Sequence, residues 1–143
     1  MDTTVKAFPA TLDSLEPIRD FVSEKCGGMG FSKKKTYGLC LAIDEIATNI
    51  INYGYPKSGI YNGEVVVTVN CSEKSLKVVL ADKAIAFNPL EHLVPSKEDM
   101  NKPLEERPIG GLGILLAQQS VDEFTYEYKN GSNHNKFLIN ATA

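Results

Sequence analysis

Between Ser32 and Pro56 the chain carries the pattern that most narrows its fold. Leu39, Ile43, Ile46, Ile50 and Tyr53 recur at steps of four, three, four and three, which draws one continuous apolar stripe along a helix. Ser32 is a good N-cap, and Gly54 and Pro56 are expected to close the helix. An earlier stripe, Leu12, Leu15, Ile18, Phe21 and Val22, predicts a second amphipathic helix. Thr11 or Asp13 is placed to cap its start, and the Cys26-Gly27-Gly28-Met29-Gly30 stretch ends it.

The remaining apolar runs have strand character. Val5 to Ala10, with Pro9 near its end, reads as an edge strand. Glu64 to Cys71 and Leu76 to Ala81 flank Ser72-Glu73-Lys74-Ser75 as a hairpin, and Phe124 to Tyr128 and Lys136 to Asn140 flank the Asn130-Gly131 turn. Between them lies a segment from Phe87 to Pro108 with four prolines and no sustained period, followed by Gly110-Gly111-Leu112-Gly113 and a helix from Ile114 to Ser120. A loop of that length tends to be functional, often a lid. The order is strand, two helices, two strands, lid, helix, two strands. Hairpins with helices grouped on one face predict an α+β fold, a two-layer α/β sandwich with a mixed, mostly antiparallel sheet.

Bulk properties exclude several classes. With 143 residues, 43% apolar and 23% charged, the chain is expected to form a single soluble domain over residues 1–143. A net charge of −3 gives no broad case for nucleic acid or an acidic membrane. The lysines at 33, 34 and 35 read as a solvated face. Cys26, Cys40 and Cys71 are far apart and lack CxxC spacing, which speaks against zinc or a disulfide framework and fits a reducing, cytoplasmic compartment. No run reaches the length of a signal peptide or a membrane span. Both His92 and His134 fall in loop-like surroundings.

Three features can carry chemistry. Glu45, Asn49 and Asn52 stand at i, i+4 and i+7, on one helix face displaced from the apolar stripe. A carboxylate and an amide at that spacing suit a general base beside a cation ligand, or simply a polar solvent edge. Asp82 ends an apolar strand, where it suits either the amino group of a purine or a turn. Gly110, Gly111 and Gly113 precede a helix and suit a phosphate cradle or a structural turn. They do not form a GxGxxG unit.

Taken in order, these strings resemble one superfamily. Leu41 through Pro56 is similar to the N box of the GHKL ATPases, and more narrowly to the anti-sigma-factor serine kinase branch, where a helix bearing ExxxN ends in a His/Tyr-Gly-Tyr turn. Asp82 through Pro89 resembles that branch's next motif, and Arg107 through Ile114 its phosphate-binding motif. The resemblance covers nearly the whole chain and implies the GHKL (Bergerat-type) ATP-binding fold, with ATP and Mg²⁺ as cofactors. It implies Asn49 as Mg²⁺ ligand, Glu45 as the base that polarises the attacking hydroxyl, and Asp82 as acceptor from adenine. Asn52 adjoins that set. Gly110, Gly111 and Gly113 would cover the phosphates, Arg107 would reach them from the lid, and the proline-rich segment would be the ATP lid.

The implied activity is serine/threonine phosphorylation of a small STAS-domain antagonist, with a sigma factor as the alternative partner and a homodimer as the expected assembly. Two positions depart from the pattern. Ala84 stands where relatives carry Gly, and Lys136 falls, in a loose alignment, where many place Thr or Ser near adenine. Ala84 favours a second reading, a non-catalytic module that sequesters a regulator by partner switching. A third is an ATPase acting as a conformational switch.

Overall fold

The computed structural model describes residues 2–92 and 111–141. Strands β1 (Asp2–Pro9), β2 (Glu64–Cys71), β3 (Ser75–Asp82), β4 (Glu123–Lys129) and β5 (Ser132–Asn140) form one sheet in the order β1-β2-β3-β5-β4. Every neighbouring pair is antiparallel, so the expected mixed character is absent among the described residues. β1 lies at an edge, where Pro9 breaks no central ladder. The β4–β5 hairpin turns through Asn130 and Gly131, with φ of 54° and 74°, the left-handed geometry that an Asn-Gly pair tolerates.

Burial alternates along β2, β3 and β5, and the buried residues of each strand face the helices. Val65, Val67, Val69, Leu76, Val78, Leu80, Phe137 and Ile139 form the sheet side of the core. Helix α1 (Leu15–Met29) contributes Ile18, Val22 and Cys26, and α2 (Lys33–Asn49) contributes Leu39, Ala42, Ile43, Ile46 and Ala47. Each fully buried valine, leucine, isoleucine or phenylalanine among them contributes about 1.5–3 kcal/mol. Helices on one face of an antiparallel sheet make the predicted two-layer α+β sandwich.

Helix boundaries show how the local sequence works. Ser32 Oγ accepts from Lys35 N at 3.1 Å, as expected for the cap of α2. Neither Thr11 nor Asp13 caps α1; a 3-10 turn, Leu12–Ser14, leads into it without a side-chain cap. Gly27 and Gly28 stay helical, and the helix ends at Gly30, whose φ of 76° suits glycine. Lys33 and Lys34 are exposed, whereas Lys35 reaches the Asp122 carboxylate at 3.2 Å and the Asn140 carbonyl.

The end of α2 departs from expectation. Gly54 and Pro56 do not stop it. The chain passes into a π-helical turn, Ile50–Gly54, and then α3 (Tyr55–Ser58), where Pro56 occupies a first-turn position that needs no N–H. Widening to i→i+5 rotates the following residues. Ile51 and Tyr55 are therefore buried, and Tyr53, placed in the apolar stripe by its spacing, is 41% exposed. Helix α4 (Gly111–Gln119) begins at Gly111, earlier than the predicted Ile114. Beyond the 3-10 turn Pro89–His92, the predicted lid lies outside the described residues, as do Arg107 and Gly110. His134 belongs to β5, not to a loop.

Candidate functional site

A cavity of about 250 Å³ opens between the end of α2, α3 and the ends of β3 and β5. Its volume is near the lower end of small-molecule sites. Ile46 and Ile50 supply apolar floor, Tyr53, Gly54 and Lys57 one side, and Asp82, Ala84, Asn133 and Asn135 the other. The π-helical turn brings Tyr53 and Gly54 to this cavity. Asn49 lines it as well, whereas Asn52 is exposed and is not among its lining residues.

Asp82 is 3% exposed at the end of β3. Its Oδ1 accepts from Ala84 N at 3.0 Å and Asn133 Nδ2 at 2.9 Å, and Oδ2 accepts no hydrogen bond among the described residues. Burial pushes its pKa up, and the bonds from Asn133 and Ala84 and the nearby His134 oppose that. A buried carboxylate with one oxygen anchored and one open is suited to accept from a ligand amino group.

The turn after Asp82 is held almost wholly by side chains. Lys83 N donates to Tyr55 Oη at 3.0 Å, Ile85 N to Ser58 Oγ at 2.8 Å and Phe87 N to Asn133 Oδ1 at 3.1 Å. Tyr55 Oη donates onward to the Glu64 carbonyl at 2.6 Å, and Ser58 Oγ to the Gly54 carbonyl at 2.7 Å. Ala84 has no positive φ, so the backbone here does not require glycine. Its methyl group lies against Gly54, where an added Cβ would come within 3.3 Å of it. The bare α-carbon of Gly54 makes room for the side chain that Ala84 adds.

Asn133 and Asn135 were not anticipated as site residues. Both are 3% exposed and face the cavity. A signal was present: they share the strand parity of Phe137 and Ile139, so period two places them on the inner face. Lys136 has the opposite parity. It pairs with Glu127 at 2.8 Å and is not among the cavity's lining residues, which corrects its assignment to the adenine end. Asn135 Oδ1 is buried without a partner among the described residues.

At the other end, Glu45 is half-buried on α2 and forms no hydrogen bond among the described residues. Burial raises its pKa, and neighbouring Asp44 adds to the rise. Asp44 itself pairs with Arg19 of α1 at 2.6 Å. The Glu45 carboxylate lies against Gly113, where a Cβ would fall 1.9 Å from Oε1. Gly111 and Gly113 thus sit in the first turn of α4, whose free N–H groups favour an anion.

Asn49 Nδ2 is buried without a partner among the described residues. Amide oxygen and nitrogen are exchanged by a simple flip, and the oxygen in that place offers one hard ligand to a cation. That fits Mg²⁺, which keeps several waters and takes its remaining ligands from substrate phosphates. No group of three or more His, Cys, Asp or Glu suited to a metal occurs among the described residues.

An acceptor wall, an orphaned amide and a glycine turn against a carboxylate together suit a nucleotide. The histidine kinase-like ATPase domain family matches residues 8–138. The chain belongs to that family. Its relatives include the serine-protein kinases RsbW of Bacillus mycoides and of Bacillus cereus, each 29% identical over 125 residues, covering 86% of this chain and 76% of the relative. The family match and these relatives support the GHKL anti-sigma-factor kinase branch that the motifs resemble. Among solved structures, the RsbU and RsbW domains of Rv1364c from Mycobacterium tuberculosis match with a TM-score of 0.67 at 15% identity. That match covers 100% of this chain and 34% of the other, and at that identity it shows the fold alone.

Proposed function

We propose that this chain is an anti-sigma-type serine/threonine protein kinase that uses Mg-ATP to phosphorylate a small STAS-type antagonist protein. The observation that carries the reading is that Asp82 and Asn49 line one cavity while Glu45, one helical turn before Asn49, meets Gly113, in a chain of the histidine kinase-like ATPase family. The RsbW relatives, named serine-protein kinases, support the same activity.

Asp82 Oδ2 accepts from the adenine amino group. Asn49 would hold Mg²⁺, which when bound would neutralise phosphate charge. The first-turn N–H groups at Gly111 and Gly113 receive the phosphates; Gly110 and Arg107, which the motif resemblance assigns to the same role, lie outside the described residues. Asn52, exposed on the π-helical turn and absent from the cavity's lining, takes no part in this arrangement. Glu45 takes the proton from the acceptor hydroxyl, and its raised pKa brings it toward the working range of a general base. Phosphoryl transfer relies mainly on such positioning and charge neutralisation.

The non-catalytic reading loses its motive, because Ala84 adopts an ordinary backbone conformation and its methyl is accommodated by Gly54. The 143 residues are read as one domain. A sigma factor as the alternative partner and a homodimer follow from the family reading. No helix among the described residues is long and apolar enough to cross a membrane, and three free thiols support a reducing cytoplasm.

The test is ATP binding with and without Mg²⁺, followed by transfer of labelled phosphate to a candidate STAS protein. Binding strengthened by Mg²⁺ and labelling of serine or threonine are expected. Failure to bind ATP would sink the reading; binding without transfer to any STAS protein would leave a sequestering module in its place.

A further inference from the structure

Asn133 and Asn135 stand two residues apart on the same face of β5, equally buried, in the same cavity wall. Their hydrogen bonding differs completely. Asn135 makes no side-chain bond among the described residues, whereas the amide of Asn133 is saturated. Its Nδ2 faces Asp82 Oδ1 at 2.9 Å, the Ala84 carbonyl at 3.1 Å and the Ile85 carbonyl at 3.0 Å. Its Oδ1 accepts from Phe87 N at 3.1 Å and from the Tyr126 hydroxyl. An amide with two hydrogens and two lone pairs has nothing left to offer a ligand.

We propose that Asn133 is a positioning residue for base recognition: it fixes the Asp82 carboxylate and the turn at 83–87 together, so that only Asp82 Oδ2 is presented to the base, at a point that suits the amino group of a 6-aminopurine. The inference rests on the nucleotide reading above and goes beyond it to the source of selectivity. β3 and β5 place Asp82 directly opposite Asn133 in the antiparallel register, so the clamp is built across the strand pair and does not depend on a mobile side chain. Tyr126, on β4, completes it by aligning the Asn133 amide from the far side.

The consequence is selectivity, not merely affinity. A fixed carboxylate oxygen accepts from the exocyclic amino hydrogen of adenine and faces an oxygen in hypoxanthine, which it repels. A carboxylate released from Asn133 can turn and accept instead from the N1–H of a 6-oxopurine. A group with a purely structural role would weaken both nucleotides in equal proportion.

The experiment compares ATP with ITP, by equilibrium binding in the presence of Mg²⁺, for the unaltered protein, Asn133→Ala and Tyr126→Phe, with a thermal melt to identify the variants that fold. The unaltered protein is expected to prefer ATP. In Asn133→Ala that preference should fall by about tenfold or more, the scale of one hydrogen bond to a charged group. Tyr126→Phe, which removes only a hydroxyl, should show a smaller fall in the same direction. An unchanged ATP-to-ITP ratio in every variant that folds overturns the proposal, as does equal binding of both by the unaltered protein. If the unaltered protein binds neither nucleotide, the kinase reading fails and this inference falls with it.

Discussion

The Glu45 carboxylate lies directly over the α-carbon of Gly113, so closely that a β-carbon there would fall 1.9 Å from Oε1 and 2.2 Å from the carboxyl carbon. Seven residues before Glu45 on α2, Gly38 meets the carbonyl of Ser120, seven residues after Gly113 and just past the end of α4, where a β-carbon would fall 2.6 Å away. Two bare α-carbons, one on each helix, thus let α2 and α4 approach closely, and the contact at Gly113 brings the first turn of α4 against the Glu45 carboxylate.

Gly113→Ala is expected to move Glu45, because nothing closer than 3.0 Å is sterically tolerable and the obstructing atoms are the far end of a flexible side chain. The displacement should cost little stability and much activity. Transfer should fall by about 100-fold, the effect of misplacing a catalytic group by an ångström, with the melting temperature nearly unchanged. A single-turnover phosphorylation assay beside a thermal melt checks this. Wild-type transfer in a variant that binds ATP normally would remove Glu45–Gly113 contact from the mechanism.

Glu45→Gln separates function from stability. Burial raises the Glu45 pKa in the fold above its ordinary value. A carboxyl with a raised folded pKa favours the fold at low pH and loses that contribution as pH rises through the folded value. Above that pH the charged, poorly solvated group is a liability, so the Gln variant should be at least as stable as the parent at pH 7. The parent's advantage should appear only on acidification. Transfer should fall by about 100-fold or more, the usual contribution of a general base, while ATP binding survives. In the parent, transfer should rise with pH through the Glu45 titration; a flat profile from about pH 4, near the ordinary glutamate value, up to about pH 8 would argue against the base assignment.

Asn49→Ala tests the cation site. Because Asn49 Nδ2 already lacks a partner among the described residues, its removal discards an unsatisfied buried group and should not lower the melting temperature by more than about 2 °C. The affinity gained on adding Mg²⁺ should disappear, and chelation with EDTA should weaken ATP binding by the parent but not by the variant. Equal Mg²⁺ dependence in the two proteins would place the metal ligand elsewhere.

Local patterns made much of this architecture legible. The stripe from Leu39 to Ile50 is buried as its spacing predicts, Ser32 caps α2, and the alternation in β2 marks Glu64–Cys71 with its correct ends. Where expectation failed, the cause was non-local or backbone-specific. Tyr53 leaves the stripe because a π-helical turn inserts an extra residue, and Lys136 falls on the outer face because its parity in β5 is opposite to that of the buried positions. Asn133 acquires its role from the β3–β5 register, which pairs residues about fifty positions apart. The doubt raised by Ala84 is answered by Gly54, thirty positions away in the chain. Of the candidate residues, Asn49 and Asp82 line one cavity and Glu45 meets Gly113, a convergence that helical spacing alone could not distinguish from a polar edge.

Tyr55→Phe probes the support beneath the turn at 83–87. The Tyr55 hydroxyl donates to the Glu64 carbonyl at 2.6 Å and accepts from Lys83 N at 3.0 Å, so it joins α3 to the start of β2 and the end of β3. The ring lies against Gly63, where a β-carbon would come within 2.5 Å of it, and it would stay in place in the Phe variant. Removing the oxygen alone leaves a backbone donor and an acceptor unpaired in a part-buried site, at a cost on the order of 2 kcal/mol. For a chain of this size that corresponds to a fall of about 5 °C in melting temperature. Lys83 N is next to both Asp82 and Ala84, so ATP affinity should weaken by a few-fold as well. Differential scanning calorimetry and ATP titration on the same preparation test both effects. A melting temperature within about 1 °C of the parent would mean that the hydroxyl contributes nothing to the turn, and that Asp82, Ser58 and Asn133 hold it without help from Tyr55.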